Sequence, residues 1–456
     1  MTGPEHAAGP SQFRFGPRDR RGLVGLRTAQ LLLIAVALVG AVLALRAGGR
    51  LGAAVAVVLP LAALAAGWLP LAGRTPEQWL PIVVAYLWRR VAGCACGATG
   101  AVPAVVALGG GEQIGAVWDR AQGTLSAVVS VEGGEFDLLD AAEQCRRVSA
   151  WSGVLAASAS DSGVLHRLQW IERTVPADSL ADAVPFVTGP SQPRSEALSS
   201  YAGLVHAARG GLVHERLLVV TIRSRRGGRA GVSPHDEAAL CAEVAAFARR
   251  CREAGIADPH PLDADSLAGV VRRAMARTSS RLFAGVARWP TATCLRWSAV
   301  QAGSLWHRSY WIAEWPRHDV GADFLLPLLL VDDDRRAVSV VMAPVPAARA
   351  VRAAEQARTA KAADAALRGR HGFAVTARVR REEEAVQRRE VELAAGHAGY
   401  RFSGYVTVSA PSRPELDSSC RRVEQGAALA HLALVPLDGA HDVALFLTLP
   451  TGRGVR

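Results

Sequence analysis

Lysine is nearly absent from this chain: of 52 basic residues only Lys361 is one. So strong a skew is the mark of a GC-rich genome, and it weakens each arginine as evidence of phosphate recognition. The same scarcity excludes a Walker-type ATPase. No G-x-x-x-x-G-K-[ST] loop exists, and the lone lysine sits in RTAKAAD, a helical context. No G-x-S-x-G serine elbow is present either. The seven cysteines (Cys94, Cys96, Cys145, Cys241, Cys251, Cys294, Cys420) are odd in number and scattered. They make no disulfide framework, and a reducing compartment is the simpler reading. Cys94-Ala-Cys96 lacks the second pair or nearby histidines that zinc requires, and the twelve histidines complete no metal signature. No catalytic residue, metal ligand or cofactor is therefore assigned, and the expected class is a non-enzyme.

Three local clusters have plain explanations. Asp332-Asp333-Asp334 in a tight turn would point in different directions, so solvation explains the acids better than metal binding. Glu382-Glu383-Glu384 open a helix, where the dipole favours negative charge. Gly109-Gly110-Gly111 lies between two strand candidates, whereas a phosphate loop would precede a helix.

What the chain has in quantity is apolar sequence and positive charge, with a formal net charge of +11. Residues 28–45 and 51–73 carry no charge. A bilayer needs about 20 apolar residues per helix, and the link Arg46–Arg50 is too short to hold a domain. The expectation is a two-span transmembrane hairpin. A cleaved signal would show one run and a small-residue cleavage site, not two successive spans. Arginines set the orientation: Arg14, Arg18, Arg20, Arg21 and Arg27 precede the first span, and Arg74, Arg89 and Arg90 follow the second. Positive residues stay inside, so both ends belong in the cytoplasm and the protein in the plasma (inner) membrane. Pro60 and Pro70 each remove a backbone donor from span two and invite a kink.

Arg74–Arg90 begins with a Thr75-Pro76-Glu77-Gln78 capping box and continues with apolar residues at helical spacing. Trp68, Trp79 and Trp88 stand where indoles prefer the membrane interface. This predicts an interfacial helix over 74–92; an ordinary first helix of the following domain is the alternative.

Beyond residue 92 the pattern is mixed α+β. Strands are expected at 102–108, 114–118, 124–131, 164–173, 215–223, 324–331, 337–342, 373–380, 402–409 and 443–449. Helices are expected at 138–157, 195–208, 233–252, 382–395 and 415–431. Asp332–Arg335 reads as a hairpin turn. GIADPHPL suggests a boundary, giving a basic N-terminal segment 1–27, the hairpin 28–73, the interfacial helix 74–92, and subdomains 93–258 and 259–456.

One stretch is rich in aromatics: Trp289, Trp297, Trp306, Tyr310, Trp311 and Trp315, interleaved with Arg288, Arg296, Arg308 and Arg317. Exposed, these rings could stack on single-stranded nucleic acid or form a protein-contact surface; buried, they are core. Trp311, Trp315 and Arg317 are the candidate partner surface.

The basic FGPRDRRGLVGLR start, the hairpin and the tryptophan-bearing helix resemble the PrgI-type hairpin subunit of conjugative, type IV-like secretion systems. The remainder resembles the non-catalytic N-terminal domain of TrbE/CagE-type conjugation ATPases, carried by Tyr310–Leu330, Ala343–Arg358, Arg389–Ala410 and LTLPTGRGVR (Leu447–Arg456). Actinobacterial secretion loci carry proteins of this design. In the ATPase an LPTGRG-like segment leads towards the nucleotide-binding domain; here the chain stops, without a phosphate loop. The resemblance implies a membrane scaffold that recruits a separate motor ATPase and other secretion subunits, alone or as a homo-oligomer. A type VII secretion membrane subunit shares the two-span start, although the WPR and LPTGR segments argue against it. A membrane-tethered nucleic-acid binder is the alternative from another class.

Overall fold

The computed structural model describes residues 28–68, 76–91, 103–108, 114–131, 136–160, 164–176, 212–224, 231–256, 258–276, 292–331, 334–370, 377–394 and 396–454. They fall into two compact units, one within Gly16–Cys94 and the other within Ala95–Arg456.

The smaller unit is a helical hairpin, α1 (Thr28–Ala47) and α2 (Gly49–Trp68), followed by α3 (Pro76–Val91). Gly48 and Gly49 make the reversal with φ of 75° and 80°, a region closed to most residues. Gly40 lets the pair close up, since a Cβ there would lie 2.7 Å from Leu59 Cδ2. α2 runs through Pro60, whose missing N–H would otherwise donate to the Ala56 carbonyl. No helix among the described residues is long and apolar enough to cross a membrane.

The larger unit is built on one antiparallel sheet. Its strands are β1 (Ala104–Leu108), β2 (Ile114–Asp119), β3 (Thr124–Val131), β4 (Leu165–Pro176), β5 (Leu212–Arg223), β6 (Pro259–Pro261), β7 (Ala292–Leu295), β8 (Val300–Ala302), β9 (Leu305–Glu314), β10 (Arg335–Val345), β11 (Gly399–Ala410) and β12 (Ala433–Pro436). Its order is β1-β2-β3-β5-β4-β10-β11-β9-β8-β7, with β6 beside β3 and β12 beside β9. The helices are α4 (Ala141–Ser160), α5 (Pro234–Glu253), α6 (Ala264–Met275), α7 (Leu326–Leu329), α8 (Ala347–Arg370), α9 (Ala377–Ala394), α10 (Arg413–Leu429) and α11 (His441–Ala444). The mixed α+β class expected from sequence is what forms.

This order is a palindrome, because the two halves repeat one topology about the β4–β10 seam. The symmetry holds at the level of register. Ile171↔Ser339 and Val341↔Gln169 are exchanged about Trp170↔Val340. Thr221 pairs with Ser126 on β3, and Thr407 pairs with Ser309 on β9. Both Ser–Thr pairs are hydrogen-bonded at 2.9 Å. α5 and α10 end alike. Ile256 N bonds Cys251 O and Gly255 N bonds Arg252 O; Leu432 N bonds Ala427 O and His431 N bonds Ala428 O. These are two Schellman caps, each followed by Pro-Leu-Asp (261–263 and 436–438). The repeats are formed by the described residues within 103–276 and 292–454; β6, at the boundary expected near 258–259, pairs with β3.

On one sheet face Leu240, Val244, Phe247 and Cys251 of α5 enter a core with Leu125, Ala127 and Val220. Their counterparts Leu416, Cys420, Val423 and Ala427 of α10 do so with Val338, Val406 and Val408. The opposite face is covered by α6 and by Leu445, Phe446 and Leu449.

Three expected strands are corrected. Residues 326–329 form α7: Pro327 sits in its first turn and cannot donate to a ladder. The hairpin expected at Asp332–Arg335 therefore joins no second strand; β10 pairs instead with β4 and β11. Residues 377–380 belong to α9, because no breaker separates them from the helical run that follows; 371–376 lie outside the described residues. Residues 443–447 form the end of α11 and a short 3-10 turn, with Leu445, Phe446 and Leu449 meeting one core at helical rather than alternating spacing. The helix expected at 195–208 lies outside the described residues.

Candidate docking groove and the C-terminal strap

The tryptophan–arginine stretch folds as the meander β7–β8–β9. Along β9 burial alternates, which places Leu305, His307 and Ser309 inward. Tyr310 is also buried, and its hydroxyl donates to Glu424 at 2.8 Å. Burial pushes its pKa up, assisted by Cys420 and Glu424. Trp306 is half-buried beneath the Arg413 guanidinium. Arg308 bonds the Ser298 carbonyl and pairs with Asp417. The rings are thus largely committed to packing; among those described only Trp297 is exposed. Trp289 lies outside the described residues.

Of the candidate partner surface, Trp311 sits in the sheet between Tyr405 and Val435. Trp315 is half-buried, edge-on to Phe324 (6.4 Å) and Phe402 (5.3 Å). Arg317 is exposed and pairs with Glu314 at 2.6 Å. Trp315 leads to an apolar groove. Phe324, against which it packs, lines a groove of about 350 Å³ with Asp323, Leu326, Pro327, Leu330, Leu429, Ala430 and His431. Leu330 and Leu429 are 58% and 71% exposed. His431 holds φ at +55°, in the left-handed region, and its ring meets His318 edge-on at 4.4 Å. A non-glycine residue so placed marks a position where local comfort has yielded to something else. Sequence reasoning missed the groove because its walls come from two segments a hundred residues apart; two leucines on helix ends carry no motif.

The second feature is the segment that the resemblance assigned to an onward connection. Leu447–Gly454 lies instead along the sheet. Gln169 donates from Nε2 to the carbonyls of Leu447 (3.1 Å) and Leu449 (3.0 Å) and accepts from Gly452 N at 2.8 Å. Arg167 donates to the Gly452 carbonyl, and Thr448 Oγ1 to Thr407 Oγ1. Arg453 pairs with Asp119. Gly452 has φ +64°, and a Cβ there would fall 2.1 Å from Thr221 Oγ1. Only glycine fits both the backbone and the space.

Within the first repeat is a buried ionic cluster. Glu215 bridges Arg173 and Arg273. Burial would raise its pKa, but the two guanidiniums hold it below the usual value. His307, fully buried, accepts at Nδ1 from Ser409 and donates from Nε2 to the Ala302 carbonyl. A carbonyl can only accept, so Nε2 carries the proton. Burial, with Arg335 nearby, lowers its pKa to about 4.

Among the remaining expectations, Arg89 and Arg90 form the last turn of α3, where Trp79 is half-buried and Trp88 exposed. Trp68 ends α2, but its side chain is not described; Arg14, Arg18, Arg20, Arg21, Arg27 and Arg74 lie outside the described residues, as do Cys94, Cys96, Gly109–Gly111, Asp332 and Asp333. Asp334 is buried and held bidentately by Arg422, a structural ion pair. No group of three metal-ligating side chains occurs among the described residues.

No protein-family model and no curated protein matches the chain.

Proposed function

We propose that this chain is a non-enzymatic, membrane-tethered scaffold of a conjugation-like secretion system, which holds a separate motor ATPase at the inner membrane. The observation that carries the tether is the surface of the α1–α2 pair. Val36, Val39 and Leu43 on one helix and Val57, Val58 and Leu61 on the other are exposed and apolar. Contiguous apolar surface of this kind asks for a partner, and the uncharged runs 28–45 and 51–73 match a bilayer in length.

α3 adds a second apolar stripe. Leu80, Val84, Leu87, Trp88 and Val91 are exposed at helical spacing, next to Arg89 and Arg90. Such a helix suits the headgroup region of an anionic leaflet. The positive-inside rule then keeps the larger unit in the cytoplasm.

The scaffold role rests on the resemblance of Tyr310–Leu330, Ala343–Arg358 and Arg389–Ala410 to the non-catalytic domain of conjugation ATPases, together with the open groove beside Trp315. The nucleic-acid alternative is disfavoured by the packing of Trp306, Tyr310 and Trp315.

The test is co-purification. Detergent-solubilised protein is expected to retain a conjugation-type motor ATPase co-expressed with it. Failure to retain any motor or secretion subunit would remove this reading.

A further inference from the structure

The two repeats keep in common what the fold needs, so a charge cluster found in one alone has another origin. The difference lies on the sheet face that carries the strap. Arg401 on β11 stands where Glu215 stands on β5, at the same interval before the threonine that bonds its serine (Thr407 and Thr221). Glu215 pairs across the strands with Arg173, and its carboxylate neutralises Arg173 and Arg273. At the related place Arg401 pairs with Ala343, and no acid stands between.

Positive charge collects there. Arg401 and Arg167 lie on either side of β10, two strand spacings or about 10 Å apart at the backbone. Two arginine side chains can close that distance. Arg223 lies one step along the same face from Thr221, the cross-strand partner of Arg167. Burial, then Arg223 and Arg401, lower the pKa of Arg167. His166 is the extra residue of a β-bulge between Leu165 and Arg167, a device that re-aims a side chain. The equivalent pairing of β10 with β11 has no bulge. Arg223 donates from Nε to His166 Nδ1 at 3.3 Å. That acceptor brings no negative charge, and burial, with Arg167 and Arg223, pushes its pKa down to about 4.

Counter-charge is short. Asp119 acts on Arg167, but it is tied to Arg453. Among the described residues neither Arg223 nor Arg401 pairs with a carboxylate. Thr124, opposite Arg223 on β3, is buried, and its hydroxyl bonds no described group. In the second repeat the counterparts of these two, His307 and Ser409, bond each other. A genomic preference for arginine accounts for guanidiniums scattered over a solvated surface. It does not account for one that is 7% exposed and set between two others.

We propose that Arg167, Arg223 and Arg401 form a binding site for an oxyanion of the phosphate class, free or carried by a nucleotide. The anion takes the part that the Glu215 carboxylate plays between Arg173 and Arg273. Planar guanidiniums that donate in pairs suit phosphate oxygens. The inference stands on the comparison of the repeats and is independent of the scaffold reading.

The test measures urea midpoints of the detergent-solubilised protein against inorganic phosphate and against ADP. Chloride holds the ionic strength constant, and adenosine is the control. The expected result is a saturable rise with phosphate, because a ligand that binds only the folded state stabilises it. An equal or larger rise with ADP assigns the site to a nucleotide phosphate; a rise with phosphate alone assigns it to the free ion. Arg223→Gln and Arg401→Gln, both at exposed positions, should keep the wild-type midpoint without ligand and bind about tenfold more weakly. Arg401→Glu places the acid where the first repeat has it. That variant should be at least as stable as wild type without phosphate and should no longer respond to it. No saturable shift with either ligand, or the same shift in wild type and in Arg401→Glu, would overturn the site.

Discussion

Arg453 donates from Nε to Asp119 Oδ2 at 2.5 Å, joining residues 334 apart in sequence. Asp119 is buried, and its other oxygen accepts from the backbone of Ala121 and Gln122. The guanidinium also lies over the Phe446 ring at 4.9 Å. One side chain thus ties the end of β2 to the strap that crosses the sheet.

Asp119→Ala leaves that guanidinium without its carboxylate and opens the turn. Breaking a buried ion pair from one side costs about 3–5 kcal/mol. The expected outcome is a lower denaturant midpoint and faster proteolysis within 447–454. An unchanged midpoint would mean that the strap contributes nothing to the fold.

Gly452→Ala tests the same strap sterically. The added methyl meets Thr221 Oγ1 and the backbone must leave φ +64°. A loss of about 1–3 kcal/mol is expected. Gly452→Ala combined with Thr221→Ser, which removes a methyl but keeps the hydroxyl, should recover little, because the backbone cost remains.

His431→Gly should act in the opposite direction. A left-handed non-glycine residue costs about 1–2 kcal/mol, of which the His318 contact returns part. The variant is expected to gain about 1 kcal/mol in urea unfolding. Gly255→His at the equivalent cap should lose a similar amount.

Acid should weaken the larger unit through His307. Its folded pKa of about 4 lies below its unfolded value of 6.5. The unfolded chain therefore binds the proton first as pH falls, so the contribution is intact above pH 6.5 and is lost progressively between 6.5 and 4. The full difference is worth about 3 kcal/mol. His307→Gln should flatten the stability profile in that window, read from urea midpoints at successive pH values. Glu215, with its pKa lowered, loses its contribution only at more acidic pH.

Topology is checked with an impermeant thiol reagent on intact cells, in a background without the native cysteines. Cysteine introduced at Gly49, in the turn of the hairpin, should label from outside. Cysteine at the exposed Glu253 should label only after lysis. The reverse pattern would refute the orientation.

Local chemistry alone determined a good part of this protein. Ser233 accepts from Asp236 N and starts α5 as its sequence predicts. The β-branched runs at 114–119, 124–131 and 212–223 became strands because alternation and side-chain shape act within a few residues. Two of the three errors fell where a run was apolar on every side, at 326–329 and 443–449; the third, the charged 377–380, was absorbed by the helix that follows it. There only the core that the chain meets can choose between helix and strand. The duplication also left marks in the sequence, Val-Thr-Ile at 220–222 against Val-Thr-Val at 406–408 and two Pro-Leu-Asp turns, but too few for a repeat to stand out before the pairing is known. Only the tertiary structure decided which strands meet at the β4–β10 seam, and that Leu447–Gly454 would lie over Gln169 and Thr221. Each depends on residues a hundred or more positions apart, and no local window carries the free energy of such contacts.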